Sequence, residues 1–258
     1  MMDRKLYKLP FRLKSFPAWR CPACKKGTLQ LVENSFHKDE RAHSRDAKDC
    51  EAWEPDWIDY SFSCLLQCST KKCSESVALS GVGGVDWDVG YDQNGHQQQI
   101  WGDRFRPKYF SPHLNLFDVP KDTPESVAEE LTQSFELFFC NPPSAANHVR
   151  IALENVLTEM KVKRFENRRG KKTFLGLHNR ISLLPRKHEH LKEMCLAVKW
   201  LGNAGSHSNK EVTMDDVMDA YDIVEVLLHD LYDDRAKAAK KLAKKINKKK
   251  GPNRKKRQ

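Results

Sequence analysis

Two short cysteine-bearing stretches constrain this chain more than anything else in it. "CPAC" sets Cys21 three positions before Cys24, and "CSTKKC" sets Cys68 five positions before Cys73. Either spacing lets two thiolates turn toward one metal ion from a tight loop. Pro22 stiffens the first loop, while Lys71 and Lys72 keep the second hydrophilic. Four soft sulfur ligands in tetrahedral geometry favour zinc. A site closed by four cysteines leaves no open position for water or substrate, so its role is structural. "DYSFSCLLQC" and "SVALSG" around the second pair read as short strands. The pattern predicts a zinc ribbon held by Cys21, Cys24, Cys68 and Cys73.

The other cysteines fit less well. Cys64 and Cys68 also have ligand spacing, but Cys64 lies inside the apolar run "FSCLL", where a thiol packs as a small hydrophobe. Cys50 stands alone in a charged segment with His37 and His43 nearby, and no paired spacing supports it as a ligand. Cys140 and Cys195 fall at helical positions and read as buried thiols.

After the cysteines the hydrophobic period changes. Residues to about 120 read as loops and strands, with the polar "HKDERAHSRDAKDCEAWEPDW" looping out and Gly81 to Val119 irregular. From Asp122 the period is helical. Thr123 and Pro124 open one helix, and Asn141-Pro142-Pro143 breaks it. Val149, Leu153, Val156 and Met160 mark a second helix, and "RFENRRGKKTF" reads as a basic, flexible connection. "GLHNRISLL" gives a short helix, and another runs from His188 to about Gly202. Thr213 and Asp216 form a capping-box signature for a long last helix, which extends through Leu242 and Ile246. Four main helices with short connections predict an antiparallel bundle. The expected fold class is α+β: a zinc-ribbon and β-rich region over 1–120, a helical bundle over 121–234 and a basic tail over 235–258.

Charge is concentrated in that tail. The formal net charge is +10, yet 13 of the 45 basic residues and none of the 35 acidic ones lie in 235–258. The body is therefore close to neutral. A basic C-terminal arm is an electrostatic footprint for nucleic acid, the alternative being a solvated, solubilising tail. No apolar run approaches the roughly 20 residues that a membrane span needs. "MMDRKLYKLPFRLKSFP" has no uninterrupted apolar core, so it does not read as a secretory signal. The expected location is the cytoplasm, where thiols stay reduced.

"AVKWLGNAGSHSN" poses a separate question. Gly202 and Asn203 read as a helix end, since glycine enters the left-handed conformation without strain. If the helix instead continues, Lys199, Asn203 and His207 recur every four residues along one face. A cation, an amide and an imidazole on one face suit a phosphodiester. Histidine moves protons near neutral pH, and Lys199 would stabilise the negative charge of the transition state. Such a set cuts RNA without metal, using the 2′-hydroxyl as nucleophile.

The motifs "PPSAANHVRIALENVL", "LHNRI", "VKWLGNAGSH" and "DDVMDAYDIVEVLLHDLY" resemble, as a set, a bacterial domain of unknown function that occurs alone, behind a zinc ribbon or in restriction-enzyme subunits. That family is similar to the HEPN superfamily of helical, often dimeric, metal-independent RNases of toxin and anti-phage systems. The resemblance implies a HEPN-like bundle and homodimer. It also implies a catalytic His207 with Asn203 as the preceding polar residue. HEPN enzymes carry an Arg with four to six residues between it and the His, that is five to seven positions before it, and this chain departs from that pattern. Lys199 stands one position outside that window and is not a guanidinium. Arg150 and Glu154, four apart on the second helix, would supply the guanidinium and a carboxylate to orient it, or form a plain intrahelical ion pair. Arg180 is a further candidate.

Two functions follow as expectations. One is a nucleic-acid-binding RNase of an anti-phage or restriction system, with RNA rather than DNA as its substrate. The other is a non-catalytic zinc-ribbon adaptor that binds DNA or RNA and recruits a partner.

Overall fold

The computed structural model describes residues 3–207 and 212–251, which divide into two compact units. The first comprises residues 3–115 with 135–142, the second residues 116–134 with 143–251. The fold is mixed α+β, an antiparallel sheet in the first unit and helices in the second.

The first unit contains α1 (Arg4–Lys8), β1 (Leu29–Leu31), β2 (His37–Glu40), α2 (Ala42–Asp46), β3 (Asp59–Cys68), β4 (Ser76–Tyr91) and β5 (Gln97–Ser111). β3 is the organising strand. β1 and β2 pair in succession along one of its edges and β4 along the other, with β5 outside β4. Burial alternates along β3, with Phe62, Cys64, Leu66 and Cys68 inward. That is the period of a strand with one dry face. The dry face packs on an aromatic cluster centred on Phe11, whose ring lies 4.9 to 5.8 Å from those of Phe16, Trp19, Phe62 and Phe105. Phe11 and Phe105 also exchange two backbone hydrogen bonds of 2.9 Å, which tie the N-terminal segment to β5.

Three expectations for this region change. Strand β4 continues ten residues past Gly81, and β5 occupies a stretch that reads as irregular. The glycines at 81, 83 and 84 hide the alternation of β4, and the hydrophobic pairing that fixes it comes from another strand. The polar insertion does not simply loop out. Its first residues form β2, and the buried Ser44 hydroxyl then donates to Glu40 at 2.7 Å and accepts from the Asp59 amide at 3.1 Å.

The second unit carries the helices. α3 (Glu125–Leu137) contributes to both units, and α4 (Pro142–Glu159) follows it. The Thr123 hydroxyl is buried and makes no capping bond. After α4 come the hairpin β6 (Phe165–Arg168) and β7 (Lys171–Phe174), in place of the expected flexible connection. Then come α5 (Leu177–Ser182), α6 (Lys192–His207), α7 (Met214–Tyr232) and α8 (Asp234–Lys249). The capping box at α7 is formed, with Thr213 and Asp216 satisfying one another's amides. The last helical run breaks at Asp233, so the basic segment is a helix of its own. The core of this unit includes Val149, Leu153 and Val156 of α4 and Val217, Tyr221, Val224 and Leu228 of α7, all buried. One polar pair is sealed within it. Ser134 spends its only proton on the Ala145 carbonyl at 2.8 Å, so Tyr221 donates to Ser134 at 2.7 Å.

Helix α6 does not stop at its glycines. It runs through Gly202 and Gly205 to His207. A Cβ on Gly202 would lie 2.6 Å from the Arg150 Cβ and 3.1 Å from the Ala146 carbonyl oxygen. Gly202 is there because α4 and α6 approach too closely for a side chain. We therefore expect Gly202→Val to lower the midpoint of the helical transition, at a cost of about 1–3 kcal/mol. Gly102→Ala, where the nearest atom would be 3.7 Å away, should leave it unmoved. Thermal and urea unfolding followed by circular dichroism compares the two.

Candidate functional site

In the first unit two loops present four sulfurs to one point. The Cys21 and Cys73 sulfurs are 3.8 Å apart, those of Cys24 and Cys68 are 3.6 Å apart, and all four lie within 4.8 Å of one another. Metal–thiolate bonds of about 2.3 Å in a tetrahedron set sulfurs about 3.8 Å apart along each edge. A disulfide would bring two of them to about 2.05 Å. The separations fit four ligands around a common ion.

The two loops solve the same problem in the same way. Lys25 and Ser74 each follow the second cysteine of a pair and each adopt positive φ, 56° and 47°. The Lys25 amide donates back to the Cys21 carbonyl at 3.0 Å, and that of Ser74 to the Thr70 carbonyl at 3.1 Å. The Gly27 amide points at the Cys24 sulfur, and the Thr70 amide at the Cys68 sulfur, each at 3.4 Å. Such N–H groups stabilise thiolate charge. Gly27 is required by the close approach of the loops, because a Cβ there would stand 2.7 Å from the Cys68 sulfur. The antiparallel register of β1 on β3 pairs Leu29 with Cys68 and thereby brings the loops together.

Electrostatics divides the four ligands. Burial pushes the Cys21 thiol up to about 12. The Gly27 and Lys26 amides draw the Cys24 thiol down to about 6. Without an ion, neutral pH leaves Cys21 protonated and Cys24 ionised, so loading a metal releases protons. Cys64 does not join the group. Four residues along an extended strand separate it from Cys68 by about 13 Å, and it is buried opposite Leu79. Cys50 is exposed and also lies outside it.

In the second unit the structure gathers charge where α4 meets α6. Arg150 donates to Glu154 at 2.6 Å, and both side chains are about one quarter exposed. Arg180 of α5 is almost fully buried. It donates to the Thr158 hydroxyl at 2.8 Å, which in turn donates to the Glu154 carbonyl at 2.9 Å. The Arg180 Nε has no partner among the described residues. Burial pulls the Arg180 pKa down, and the charge of Glu154 pulls it back. Guanidinium nonetheless stays charged in proteins. Glu154 thus lies in the field of two arginines.

α6 meets this pair at Gly202, which lies against Arg150, with Lys199 three residues before it in sequence and Asn203 next after it. Lys199 is buried, and its ammonium sits 3.2 Å from the centre of the exposed Trp200 ring, a cation–π contact. Asn203 is half-buried. His207 is the last residue of α6, on the face of Lys199 and Asn203 by helical spacing, and its side chain lies outside the described residues. Arg180 is more deeply placed than the sequence reading allowed. The signal was present, because Leu177, Ile181 and Leu184 are all buried, and Arg180 falls within their stripe.

Two family profiles match the chain. Residues 9–110 match a domain of unknown function, DUF8608, and residues 132–249 match another, DUF4145. The first match contains all four clustered cysteines. The second contains α4 to α8. Comparison with curated proteins and with solved structures gave no match. No helix among the described residues is long and apolar enough to cross a membrane.

The cluster predicts its own test. Elemental analysis of the purified chain should find about one metal ion per molecule. Cys68→Ser should lose it, and Cys64→Ser and Cys50→Ser should keep it. Acid should release the ion as the thiolates protonate. A folded, metal-free wild type would rule the site out.

Proposed function

We propose that this chain binds RNA and cuts it without metal, through a HEPN-like active face on its helical unit, as part of a bacterial anti-phage or restriction system. The observation that carries the reading is the unbroken course of α6 through Gly202 to His207, beside the Arg150–Glu154 pair. HEPN-type chemistry needs a guanidinium near a histidine. The motif window, Trp200 to Gly202, holds no arginine, Lys199 stands one position outside it, and Arg150 of α4 takes the arginine's place.

In the proposed reaction His207 takes the proton of an RNA 2′-hydroxyl. The 2′-oxygen attacks the adjacent phosphorus, and the bond to the 5′-oxygen breaks as that oxygen takes a proton from water, while the His207 imidazolium returns its proton to solvent. The products are a 2′,3′-cyclic phosphate and a 5′-hydroxyl. Arg150 offsets the charge building on the non-bridging oxygens, and Glu154 holds the guanidinium in place. Asn203 orients the imidazole or a phosphate oxygen, and Lys199 adds positive potential. A homodimer through the helical unit would bring two such faces together.

The ion of the cysteine site is zinc in this reading. Four thiolates suit zinc or iron, and a colourless protein with one zinc per chain would separate them. Its role is structural. The basic tail from Arg235 would hold the RNA backbone through sequence-independent, salt-sensitive contacts. Residues 252–258 of that tail lie outside the described residues.

A second reading is a non-catalytic adaptor that binds DNA or RNA. The 2.6 Å Arg150–Glu154 bond and the seating of Lys199 on Trp200 favour it, because both cations already have partners.

Incubation of total tRNA and messenger RNA with the chain in excess EDTA decides between them. We expect cleavage with 2′,3′-cyclic phosphate ends, and at least a hundredfold loss in His207→Ala and in Arg150→Ala. No cleavage by a folded, RNA-binding wild type favours the adaptor.

A further inference from the structure

We infer that the β6–β7 hairpin is a finger that grips single-stranded RNA and delivers it to the helical unit, an inference that rests on the nucleic-acid reading above. Nothing in the metal centre or the α4–α6 face uses this hairpin, yet its composition is unusual. Residues 161–174 hold seven Lys or Arg against one Glu. Lys163, Arg164, Arg169, Lys171 and Lys172 are exposed. That imbalance calls for a polyanion.

The backbone makes the finger stiff. Arg168 pairs with Lys171, leaving a two-residue loop of Arg169 and Gly170. Both loop residues adopt positive φ, 49° and 76°. This is the tight turn whose twist matches that of the flanking strands. A flexible basic linker would lose entropy on binding, and a hairpin of this kind has already lost it.

The aromatic pair chooses among polyanions. Phe165 and Phe174 face each other across the strands with centroids 5.7 Å apart and rings near perpendicular. Such a pair braces the foot of the hairpin. Bracing alone does not need open ring surface, and Phe165 and Phe174 are 42% and 54% exposed. Lys172 holds its ammonium 4.5 Å from the centre of the Phe165 ring. Lys172 covers one face of Phe165, so the more exposed Phe174 ring suits a stacked base, with the base's phosphate on the neighbouring lysine. Duplex RNA hides its base faces, so stacking selects unpaired segments. Four-residue strands span about 13 Å, enough for two or three nucleotides.

The foot of the finger leads to the proposed active face. The hairpin links the C-terminal end of α4, the helix of Arg150 and Glu154, to α5, which carries Arg180, and the Leu175 amide closes its foot on the Arg164 carbonyl at 2.9 Å. RNA held along the hairpin would therefore run toward Arg180 and the Arg150–Glu154 pair.

Fluorescence anisotropy of the full-length chain tests the inference, with a labelled 12-nucleotide single-stranded RNA and a duplex of the same sequence as probes. Phe174→Ala should weaken single-strand binding roughly tenfold and leave duplex binding unchanged. Phe174→Trp should restore it, which separates stacking from a damaged hairpin. The triple variant R169A/K171A/K172A should weaken both probes and flatten the salt dependence. Single-strand affinity unchanged in Phe174→Ala, or lost equally for both probes, would overturn the finger. If only deletion of residues 235–258 abolishes binding, the finger fails and the nucleic-acid reading stands. If the wild type binds neither probe, the nucleic-acid reading fails and takes the finger with it.

Discussion

Everything in the first unit is arranged around the convergence of four sulfurs that start more than forty residues apart in the chain. Four thiolates at these distances would repel one another, and a cation among them would offset that repulsion. β1 has three residues, too few to fix a sheet edge by packing alone. An ion held by the four cysteines would tie the loop before β1 to the loop after β3. The intervening segment is then free to vary, because lengthening a closed loop costs little. Here it uses that freedom to add β2 and α2 along the same edge of β3.

The helical unit depends on a different constraint, the approach of α4 to α6. Only glycine at 202 permits it. The same contact puts Arg150 against α6 at Gly202. Buried charge nearby is costly, and Arg180 is tolerated because Thr158 accepts one of its hydrogen bonds and Glu154 supplies a compensating field.

Parts of this were readable in the residues. The cysteine pairs identified all four members of the cluster, because ligand spacing within a tight loop is a local property. The α7 capping box was equally local, with both partners three residues apart. The α6 terminus misled for a physical reason. Glycine ends helices and glycine also admits close helix contacts, and nothing within "WLGNAGS" distinguishes the two. Strands β4 and β5 were hidden because their partners, and so their periodicity, lie across the sheet. The β6–β7 hairpin was hidden because its turn is Arg-Gly, and arginine is not a residue that announces positive φ.

By itself the sequence determined the four cysteines that cluster, the helical character of the second half and the placement of excess charge in the tail. Each follows from spacing, period or composition over a few neighbouring residues. Tertiary structure supplied the geometry that keeps Cys64 out, since an extended strand carries it away from the point that Cys68 reaches. It also decided that Gly202 is a contact and not a terminus, and that Arg180 is buried beside Glu154. These depend on what packs against a residue, and a single chain read in order does not contain that information.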